Sequence, residues 1–380
     1  MQESMLAAGP LKRLSYSDHD IFVAERRALF AAQPVFVDAV SAFDGTGTFR
    51  RIAIGSDSLV VVRGADSQVR SFANLCLHRG FPLVEQAIGQ RRELVCRYHG
   101  WRYGLEGRLT AARGLGSPRC ALRSALPEMS CLTPAGLVIT GQQPLEPKLA
   151  DDMTALFAGL GLSGCVTVAE DVFIARSNWK LWTENFLECW HCTPNHPELA
   201  ATESHVRLFE AEDYQTYAAD CAAARRRAEQ AGFTLPDDRE LDPADPVFAF
   251  WEVAPLGGGR SSPSPNGQRL GPALASEAMD GLFVYGAVGP FLHFSIAVDH
   301  AVIFSFLPIN SEETEVRTVW LAREAMDSDA ATWLWKRTLA QDRSLTEALH
   351  QSVKSRHYRG GQYLSHEQRA ARFTKWATKS

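Results

Sequence analysis

Long apolar segments are absent from this 380-residue sequence. No run of apolar residues approaches the roughly 20 that a bilayer-spanning helix needs. The opening residues, MQESMLAAGPLKRL, also lack the basic segment and long apolar core of a secretory signal. We therefore expect a cytoplasmic protein with no membrane association.

Cysteine and unbalanced charge are also scarce. Eight cysteines are too few for a disulfide scaffold in a chain of this length, and two lie beside histidines, which favours metal binding in a reducing compartment. The net charge is only -5, and lysine and arginine are scattered along the chain, so we expect no nucleic-acid partner. Small-molecule chemistry is the favoured class of function.

The chain is long enough to bury two cores, and its pattern changes along its length. Residues 38–148 contain short apolar or alternating runs separated by turn signals, which predict an antiparallel β domain. Residues 149–380 alternate helical patterns with strand-like runs, which predict helices covering an antiparallel sheet. Residues 1–37 are expected to form a helical segment that packs on this second domain. The predicted fold class is α+β.

Two short motifs stand out in the β domain. Cys76 and His78 form a Cys-x-His pair, and Cys96 and His99 form a Cys-x-x-His pair, each at the end of a predicted strand. Glycine follows closely after each pair, which lets the backbone turn sharply around a bound group. Two cysteines and two histidines suit either a tetrahedral zinc ion or a [2Fe-2S] cluster with two histidines on one iron. Because Cys-x-His is not a usual zinc-finger spacing, we favour the cluster.

The stretch NLCLHRGFPLVEQAIGQRRELVCRYHGW closely resembles the Rieske iron–sulfur family. The resemblance implies that Cys76 and Cys96 ligate one iron and that His78 and His99 ligate the other. Neutral imidazoles in place of two thiolates remove negative charge and make such a cluster easier to reduce. The cluster relays electrons, so an enzyme built on it needs a second site for the chemistry on its substrate.

A second pair of histidines lies in residues 178–199, NWKLWTENFLECWHCTPNHPEL, most of which predict a helix. The spacing of Glu184, Glu188 and His191 places them on one face of that helix. Two prolines then bend the chain, so that His196 can turn back toward His191. Alone, two such histidines are more often structural than metal-binding, but together with the upstream motif they predict a second metal site.

This segment looks like the catalytic helix of Rieske non-haem iron oxygenase α subunits. The resemblance implies that His191 and His196 bind a mononuclear Fe(II). Such a site also needs a carboxylate and leaves its opposite face open for O2 and substrate. Asn185, next to this site, is interpreted either as a residue that tunes it through a hydrogen bond or as a helix-packing residue.

Asp342 is the predicted carboxylate ligand. It falls on an apolar stripe of a predicted C-terminal helix, and a carboxylate facing a core is costly unless it is paired or bound to metal. Its context, AQDRSLTE, also resembles the family segment that supplies the third ligand. The alternative is an ion pair between Asp342 and a neighbouring arginine, and Asp280 and Asp299 are less favoured ligands. The residues of the predicted stripe are Trp335, Leu339, Leu345 and Leu349.

Glu188 stands where most of this family has an aspartate that connects the neighbouring subunit's Rieske histidine to an iron ligand. The resemblance implies that electrons pass from His99 of one chain through Glu188 to His191 of the next, in a head-to-tail ring that is most often a homotrimer. The glutamate, together with the sequences ECWHC and NHPE, resembles the branch that oxidises quaternary ammonium compounds: carnitine, glycine betaine and stachydrine.

The expected function is that of a terminal oxygenase component. Electrons from NAD(P)H are expected to arrive through a separate flavin or iron–sulfur reductase, because the chain has no nicotinamide or flavin fingerprint. O2 would oxidise a C–H bond of a small quaternary-ammonium substrate, by hydroxylation or N-demethylation rather than ring dioxygenation. Aromatic rings suit a trimethylammonium group, although each candidate ring is also a plausible core residue. The candidate rings are Phe248, Phe250, Trp251, Phe283, Tyr285 and Phe291.

Two other functions remain open from the sequence. An oxygenase for an aromatic or aryl-ether substrate would use the same irons, and the same rings would suit its pocket. A non-catalytic electron-transfer protein would keep the cluster and lack the mononuclear iron. The presence of His191, His196 and a candidate acid argues against that second alternative.

Overall fold

The computed structural model describes residues 9–28, 30–115, 123–207, 211–364 and 367–378. Within these residues the chain forms a β domain followed by a larger domain in which helices cover an antiparallel sheet. The α+β fold class predicted from the sequence is confirmed. None of the described helices is long and apolar enough to cross a membrane.

Two short helices begin the described chain, α1 at Leu14–Ser17 and α2 at His19–Ala28. Phe30, just after α2, packs edge-on against two rings of the second domain. Its ring centroid lies 5.7 Å from that of Trp179 and 5.2 Å from that of Phe291. Burial of these rings fixes the N-terminal segment against the second domain.

The strands of the β domain are all short and antiparallel. They are β1 Val35–Ala39, β2 Thr48–Ile54, β3 Asp57–Arg63, β4 Val69–Ala73, β5 Ile88–Gln90, β6 Leu94–Val95, β7 Arg102–Tyr103, β8 Leu109–Ala111, β9 Glu128–Leu132 and β10 Leu137–Gly141. In the described part of the chain, one sheet has seven strands in the order β1-β10-β9-β4-β3-β2-β5, and β6, β7 and β8 form a smaller one. The two Cys/His motifs follow β4 and β6.

The larger sheet of this domain is covered on both faces. Val60 and Val62 on β3 are fully buried in the core beneath the Cys/His loops, whereas Val61 between them is buried in the core shared with the N-terminal helices. Successive side chains of a strand point to opposite faces, so three consecutive valines supply both cores. The Cys/His loops therefore rest on a rigid support.

The second domain is built on one antiparallel sheet. Within the described residues its six strands run in the order β11-β16-β15-β14-β13-β12. The strands are β11 Val166–Ala175, β12 Ala249–Pro255, β13 Leu282–Val288, β14 His293–Ala297, β15 His300–Pro308 and β16 Thr314–Ala322. The helices are α3 Pro147–Gly159, α4 Trp179–Phe186, α5 Cys192–Asn195, α6 Pro197–Thr202, α7 Ala211–Gln230, α8 Ser328–Val353 and α9 Gln368–Ala377. Phe304 and Phe306 on β15 share a buried core with Trp335 on α8.

The helix predicted through the first histidine of residues 178–199 is shorter in the structure. α4 ends at Phe186, and residues 187–190 leave the helix. The carboxylate of Glu184 turns away from this region and accepts a hydrogen bond from the Tyr16 hydroxyl at 3.0 Å. The prediction that Glu184, Glu188 and His191 share one helix face is therefore wrong, because α4 ends before Glu188 and the Glu184 side chain is hydrogen-bonded to the N-terminal segment.

The buried face of α8 also differs from the predicted stripe beyond Asp342. Asp342 itself is buried, as predicted, but Leu345 is only partly buried and Leu349 is 47% exposed. Hydrogen bonds to neighbouring elements keep polar side chains of α8 buried instead. The Ser177 hydroxyl, for example, donates to the Thr346 hydroxyl at 3.3 Å. The buried residues that continue this face are Thr346, His350 and Val353.

A buried ion pair joins α2 to α4 and makes a test of the fold. Lys180 Nζ lies 2.7 Å from Glu25 Oε1, with the side chains 1% and 4% exposed. Glu25→Ala leaves the ammonium group buried without its partner, and we expect the free energy of unfolding to fall by about 3–5 kcal/mol. Urea denaturation followed by circular dichroism measures the loss. The control, Asp20→Ala, removes an exposed acid from the same helix and should cost less than about 1 kcal/mol; equal losses in the two variants would contradict this account.

Candidate metal centres and substrate cavity

The two Cys/His loops of the β domain share one backbone geometry. The N–H of Gly80 donates to the carbonyl of Cys76 at 2.8 Å, and that of Gly100 donates to the carbonyl of Cys96 at 2.9 Å. Both glycines adopt left-handed conformations, with φ of +73° and +72°, which a side chain would strain. The sharp turns inferred from the sequence are present in both loops.

The candidate donor atoms of these loops converge. The Nδ1 atoms of His78 and His99 lie 3.1 Å apart. Cys76 and Cys96 are each 1% exposed, whereas His78 is exposed. The Tyr103 hydroxyl lies 3.3 Å from Cys76 Sγ. Buried thiolates with imidazoles at the surface fit a [2Fe-2S] cluster that exchanges electrons through its histidine side.

A second set of candidate donors meets where α5 and α6 approach α8. α5 ends at Asn195, His196 leaves the helical conformation with φ of -124° and ψ of 72°, and Pro197 begins α6, so the predicted bend is confirmed. Nε2 of His191 and Nε2 of His196 lie 3.5 and 3.0 Å from Asp342 Oδ1. The structure thus brings the two predicted histidines to the predicted acid from distant parts of the chain.

The arrangement of these three side chains fits a metal ion. His196 is fully buried, and among the described residues its Nε2 makes no hydrogen bond, although Asp342 Oδ1 is 3.0 Å away. The rings of His191 and His196 are nearly perpendicular, with centroids 5.3 Å apart. A buried nitrogen beside a carboxylate, without hydrogen-bond geometry between them, suits a cation bound by both. Two imidazoles and one carboxylate are the donors of non-haem Fe(II) oxygenases.

The charges at this centre depend on one another. Burial lowers the pKa of His191, but the carboxylates of Asp342 and Glu188 outweigh that effect and raise it to about 10. Burial raises the pKa of Asp342, yet the two histidines bring it below its ordinary value. A bound divalent cation would replace the protons on the histidines and would stabilise the negative charge of the Asp342 carboxylate in their place.

Two further side chains orient the histidines. Nδ1 of His191 lies 2.6 Å from Glu188 Oε1, and Nδ1 of His196 lies 2.7 Å from Gln341 Oε1. When each Nδ1–H donates to its oxygen, both Nε2 atoms keep a lone pair directed toward Asp342. The sequence reasoning named Glu188 and missed Gln341. Gln341 could have been recognised as a candidate because it is adjacent to Asp342 on the same helix.

Asn185 contacts the candidate acid directly. It lies on α4, and its Nδ2 donates to Asp342 Oδ1 at 2.8 Å. That oxygen is the one both histidines approach. Of the two interpretations of Asn185 drawn from the sequence, this contact supports the hydrogen-bonding role.

Cys192 is a second possible donor that the sequence reasoning did not consider. Its Sγ lies 3.8 Å from His191 Nε2, and the donor atoms of His191, Cys192 and His196 lie within 4.8 Å of one another. The neighbouring Cys189 and burial raise the pKa of Cys192 well above its ordinary value. Asp342 Oδ1 lies closer to His191 Nε2 than this thiol does, at 3.5 Å, and lies 3.0 Å from His196 Nε2. Asp342 is therefore the better third donor.

A cavity of about 770 Å³ opens beside this centre. His191, His196 and Asp342 form part of its wall, and its size suits a small organic ligand. Of the six rings proposed from the sequence, Phe250 and Tyr285 line it. The other four belong to the packed interior and are not among the described lining residues, so the cavity interpretation is wrong for Phe248, Trp251, Phe283 and Phe291. Lining aromatics that the sequence reasoning missed include Tyr217, Phe304, Phe306 and Trp335.

The two less favoured acids lie outside this cavity among the described residues. Asp299 is buried and accepts hydrogen bonds from the Ser262 hydroxyl at 2.9 Å and the Leu270 N–H at 2.6 Å. Asp280 accepts a hydrogen bond from the Ser261 hydroxyl at 2.9 Å. Both carboxylates accept hydrogen bonds from residues in the segment between β12 and β13. Neither is therefore positioned to complete the iron site.

Gln341 offers a test of how the second centre is oriented. Gln341→Ala removes the acceptor for His196 Nδ1, frees the imidazole to rotate, and should weaken Fe(II) binding by about 10- to 100-fold. The measurement is an Fe(II) titration of the apo-protein with the cluster retained. Gln351→Ala, an exposed glutamine on the same helix, is the control and should bind as the parent does. Unchanged affinity in Gln341→Ala would show that this hydrogen bond does not position the ligand.

Both domains match known protein families. Residues 33–124 match the Rieske [2Fe-2S] domain, and residues 163–379 match the ring hydroxylating alpha subunit (catalytic domain). The first match covers both Cys/His loops, so the zinc interpretation is not supported. The second covers the second histidine pair and Asp342.

Similar proteins and similar solved structures are also oxygenases. The chain is 30% identical to the glycine betaine monooxygenase oxygenase subunit of Chromohalobacter salexigens, over 92% of this chain and 80% of that one. It is 24% identical to the carnitine monooxygenase oxygenase subunit of Acinetobacter pittii, over 94% and 89%. A solved quaternary ammonium Rieske monooxygenase shares its fold, with a TM-score of 0.73 and 20% identity over 98% of this chain and 94% of that one. The naphthalene 1,2-dioxygenase of Rhodococcus sp. does so with a TM-score of 0.62 and 16% identity over 96% and 93%.

These matches establish an oxygenase whose relatives include monooxygenase oxygenase subunits. The Rieske match implies a [2Fe-2S] cluster, and the catalytic-domain match implies a mononuclear iron. A non-catalytic electron carrier is therefore not supported. The chain belongs to the family of ring-hydroxylating oxygenase α subunits that carry a Rieske [2Fe-2S] domain.

Proposed function

We propose that this chain is the terminal oxygenase component of a multicomponent system that oxidises a C–H bond of a small quaternary-ammonium compound. Electrons from NAD(P)H reach it through a separate flavin or iron–sulfur reductase. The relatives named as glycine betaine and carnitine monooxygenase oxygenase subunits support this substrate class.

The observation that carries the proposal is the wall of the cavity beside His191, His196 and Asp342. A trimethylammonium group has no N–H to donate, so a protein holds it with aromatic faces and carboxylates. Tyr285 and Phe250 supply such faces, and buried carboxylates lie in the same wall. The cavity volume of about 770 Å³ accommodates a betaine.

The proposed ligands are those whose donor atoms converge. Cys76 and Cys96 hold one iron of the cluster, and His78 and His99 hold the other. The lone Fe(II) is held by His191, His196 and Asp342, with Asn185 hydrogen-bonded to that carboxylate. In domain terms, residues 38–148 would carry the cluster and residues 149–380 the lone iron and the cavity, while the described part of residues 1–37 packs on the second domain.

When bound, the cluster supplies single electrons and the mononuclear iron supplies the activation of O2. One C–H hydroxylation consumes one O2, two electrons and two protons, and releases one water. If the hydroxyl group forms on an N-methyl carbon, the hydroxyl loses its proton to solvent, the C–N bond breaks with its electron pair staying on nitrogen, and the carbon leaves as formaldehyde. The cavity's part is to hold that N-methyl group beside the His191 and His196 face and to limit water there.

Glu188 is the proposed connection between subunits. One carboxylate oxygen contacts His191 Nδ1 at 2.6 Å, while 16% of the side chain remains accessible. This contact with His191 and the accessible part of the side chain support a role for Glu188 between His191 and His99 of the partner subunit. This arrangement calls for a head-to-tail ring, most simply a homotrimer. Inter-subunit electron transfer is described for the solved quaternary ammonium Rieske monooxygenase of the same fold.

The test is NADH-driven O2 uptake with a surrogate reductase. Quaternary amines (glycine betaine, carnitine, stachydrine) are compared with aromatic acids and aryl ethers, and formaldehyde is measured as product. We expect uptake and formaldehyde in equal amounts with at least one quaternary amine. Coupled uptake with aromatic substrates alone would overturn the substrate class and favour an aromatic or aryl-ether oxygenase. Reactions without the reductase give the background rate.

A further inference from the structure

Two carboxylates in the cavity wall, the partly buried Glu252 and the buried Glu203, have opposite surroundings. Glu252 accepts hydrogen bonds from the hydroxyl groups of Tyr217 at 2.9 Å and Tyr285 at 3.0 Å, and from the guanidinium of Arg369 at 2.6 Å. Burial raises the pKa of Glu252, but Arg369 outweighs it and the pKa falls below its ordinary value. Glu252 is thus fully satisfied by the protein, whereas Glu203 is not.

Glu203 is 3% exposed and lines the cavity. Among the described residues, no hydrogen bond reaches its carboxylate. The basic nitrogen beside it is Nδ1 of His205, at 3.8 Å, and that nitrogen makes no hydrogen bond there either. The other ring nitrogen of His205 faces the Cys189 thiol at 3.5 Å. Burial raises the pKa of Glu203 to about 8, an effect that His205 only partly offsets.

The backbone fixes this carboxylate in place. The N–H of Glu203 donates to the carbonyl of Leu199 at 2.8 Å, and Glu203 pairs with Leu256 in an isolated β-bridge. A buried acid held rigidly with no hydrogen bond among the described residues, and with His205 3.8 Å away as its ion-pair partner, costs free energy in the unliganded protein. Such an arrangement is expected where a ligand supplies the missing charge.

Aromatic faces surround the same part of the wall. The His205 ring stacks on Tyr285, with centroids 4.7 Å apart and planes 20° apart. Phe250 lies edge-on to Tyr285 at 6.2 Å, and both line the cavity. The guanidinium of Arg369 lies over one face of each ring, 4.8 Å from the Phe250 centroid and 5.9 Å from that of Tyr285, so a ligand would contact the opposite faces. Ring faces beside a carboxylate that accepts no hydrogen bond suit a cation that is large, weakly hydrated and without hydrogen-bond donors.

We propose that Glu203 binds the quaternary ammonium group of the substrate, as a charge pair without hydrogen bonds, beside the rings of Tyr285 and Phe250. The inference rests on the proposed function, since it names the residue that selects the substrate class proposed above. Glu203 is then a specificity residue with no part in holding iron. It selects a cation because a neutral group of the same shape leaves the carboxylate uncompensated.

The test compares each cation with a neutral copy of itself. Binding of glycine betaine and of carnitine to the iron-loaded protein is measured by calorimetry, together with analogues in which carbon replaces the charged nitrogen. The parent protein should prefer the better-bound cation over its analogue by about 10-fold or more. In Glu203→Gln, which preserves shape and removes charge, that preference should fall to within about 2-fold. Glu229→Gln, on an exposed surface, is the charge-matched control and should leave the preference intact.

The outcomes separate the inference from the proposed function. If the parent prefers the cation and Glu203→Gln keeps that preference, the role of Glu203 is overturned while the substrate class stands. If the parent shows no preference for either cation, the substrate class fails and the role of Glu203 fails with it. Should Glu203→Gln not fold, Glu203→Asp provides the second test, because its side chain is one methylene shorter and its carboxylate lies farther from the ligand. It should weaken binding of the cation without changing binding of the neutral analogue. Equal effects on both ligands would contradict the inference.

Discussion

Glu188→Gln is expected to slow the substrate-dependent reoxidation of the reduced cluster by on the order of 100-fold. The glutamine keeps the size of the side chain but replaces a carboxylate that lies 2.6 Å from His191 Nδ1. It removes the negative charge that stabilises the His191 N–H and, in the proposed ring, the link to His99 of the partner subunit. Stopped-flow absorbance of the cluster, with O2 and substrate present, measures the rate.

A second variant, Glu188→Asp, tests whether the slower rate comes from loss of the carboxylate that connects the cluster to the mononuclear iron. Glu188→Asp restores a carboxylate at this position and should recover much of the rate. Iron and sulfide content should equal the parent's in both variants, because Glu188 donates no atom to the proposed iron sites. Reoxidation at the parent rate in Glu188→Gln would remove Glu188 from the electron route.

The cluster loops were predictable because everything they need is local. Each candidate cysteine lies two or three residues from its histidine, and the turning glycine follows within two residues. The structure realises both turns with nearly equal φ at Gly80 and Gly100. A motif complete within a few residues can be recognised without knowing the packing around it.

The helix carrying the second motif was predicted too long because periodicity ignores side-chain competition. No glycine or proline marks its end at Phe186. In the structure, the Glu188 carboxylate accepts the N–H of Trp190 at 2.5 Å and contacts His191 as well. An acid that bonds to the nearby backbone offers an alternative to the helical hydrogen bond. The same carboxylate that competes with the helical pattern also positions the histidine, through its other oxygen.

The face of α8 shows a related limit. Asp342 was correctly placed inward, but the leucines expected to continue its stripe give way to polar residues. His350 is fully buried with Glu312 3.3 Å away, and Thr346 meets Ser177. These partners come from segments distant in sequence, so an apolar pattern cannot reveal them.

The cavity wall was the least predictable part of the site. Glu252 and Arg369 form their ion pair across 117 residues, and Glu203 stands out only because no comparable partner reaches it. Among aromatic residues, alternation along a strand shows which rings share a face, but not which face borders a cavity. That depends on how α7, α8 and α9 close over the sheet.

Asp342→Asn is expected to empty the second iron site while sparing the first. Both histidine Nε2 atoms lie within 3.5 Å of Asp342 Oδ1, and an amide supplies neither the charge nor the donor strength of a carboxylate for Fe(II). Iron should fall from about three to about two atoms per chain, with about two acid-labile sulfides retained. Coupled turnover should fall by at least about 100-fold.

Three companion variants decide whether Asp342 is the carboxylate concerned. Asp280→Asn and Asp299→Asn alter the other acids considered from the sequence, which bind Ser261 and Ser262 instead, and both should keep about three irons per chain. Cys192→Ser replaces the thiol that lies 3.8 Å from His191 Nε2 and should also keep its iron. If Asp342→Asn retained the third iron while Cys192→Ser lost it, the centre would be a histidine–thiolate site. The assignment of a two-histidine, one-carboxylate iron would then fail, because a thiolate would occupy the coordination position proposed for Asp342.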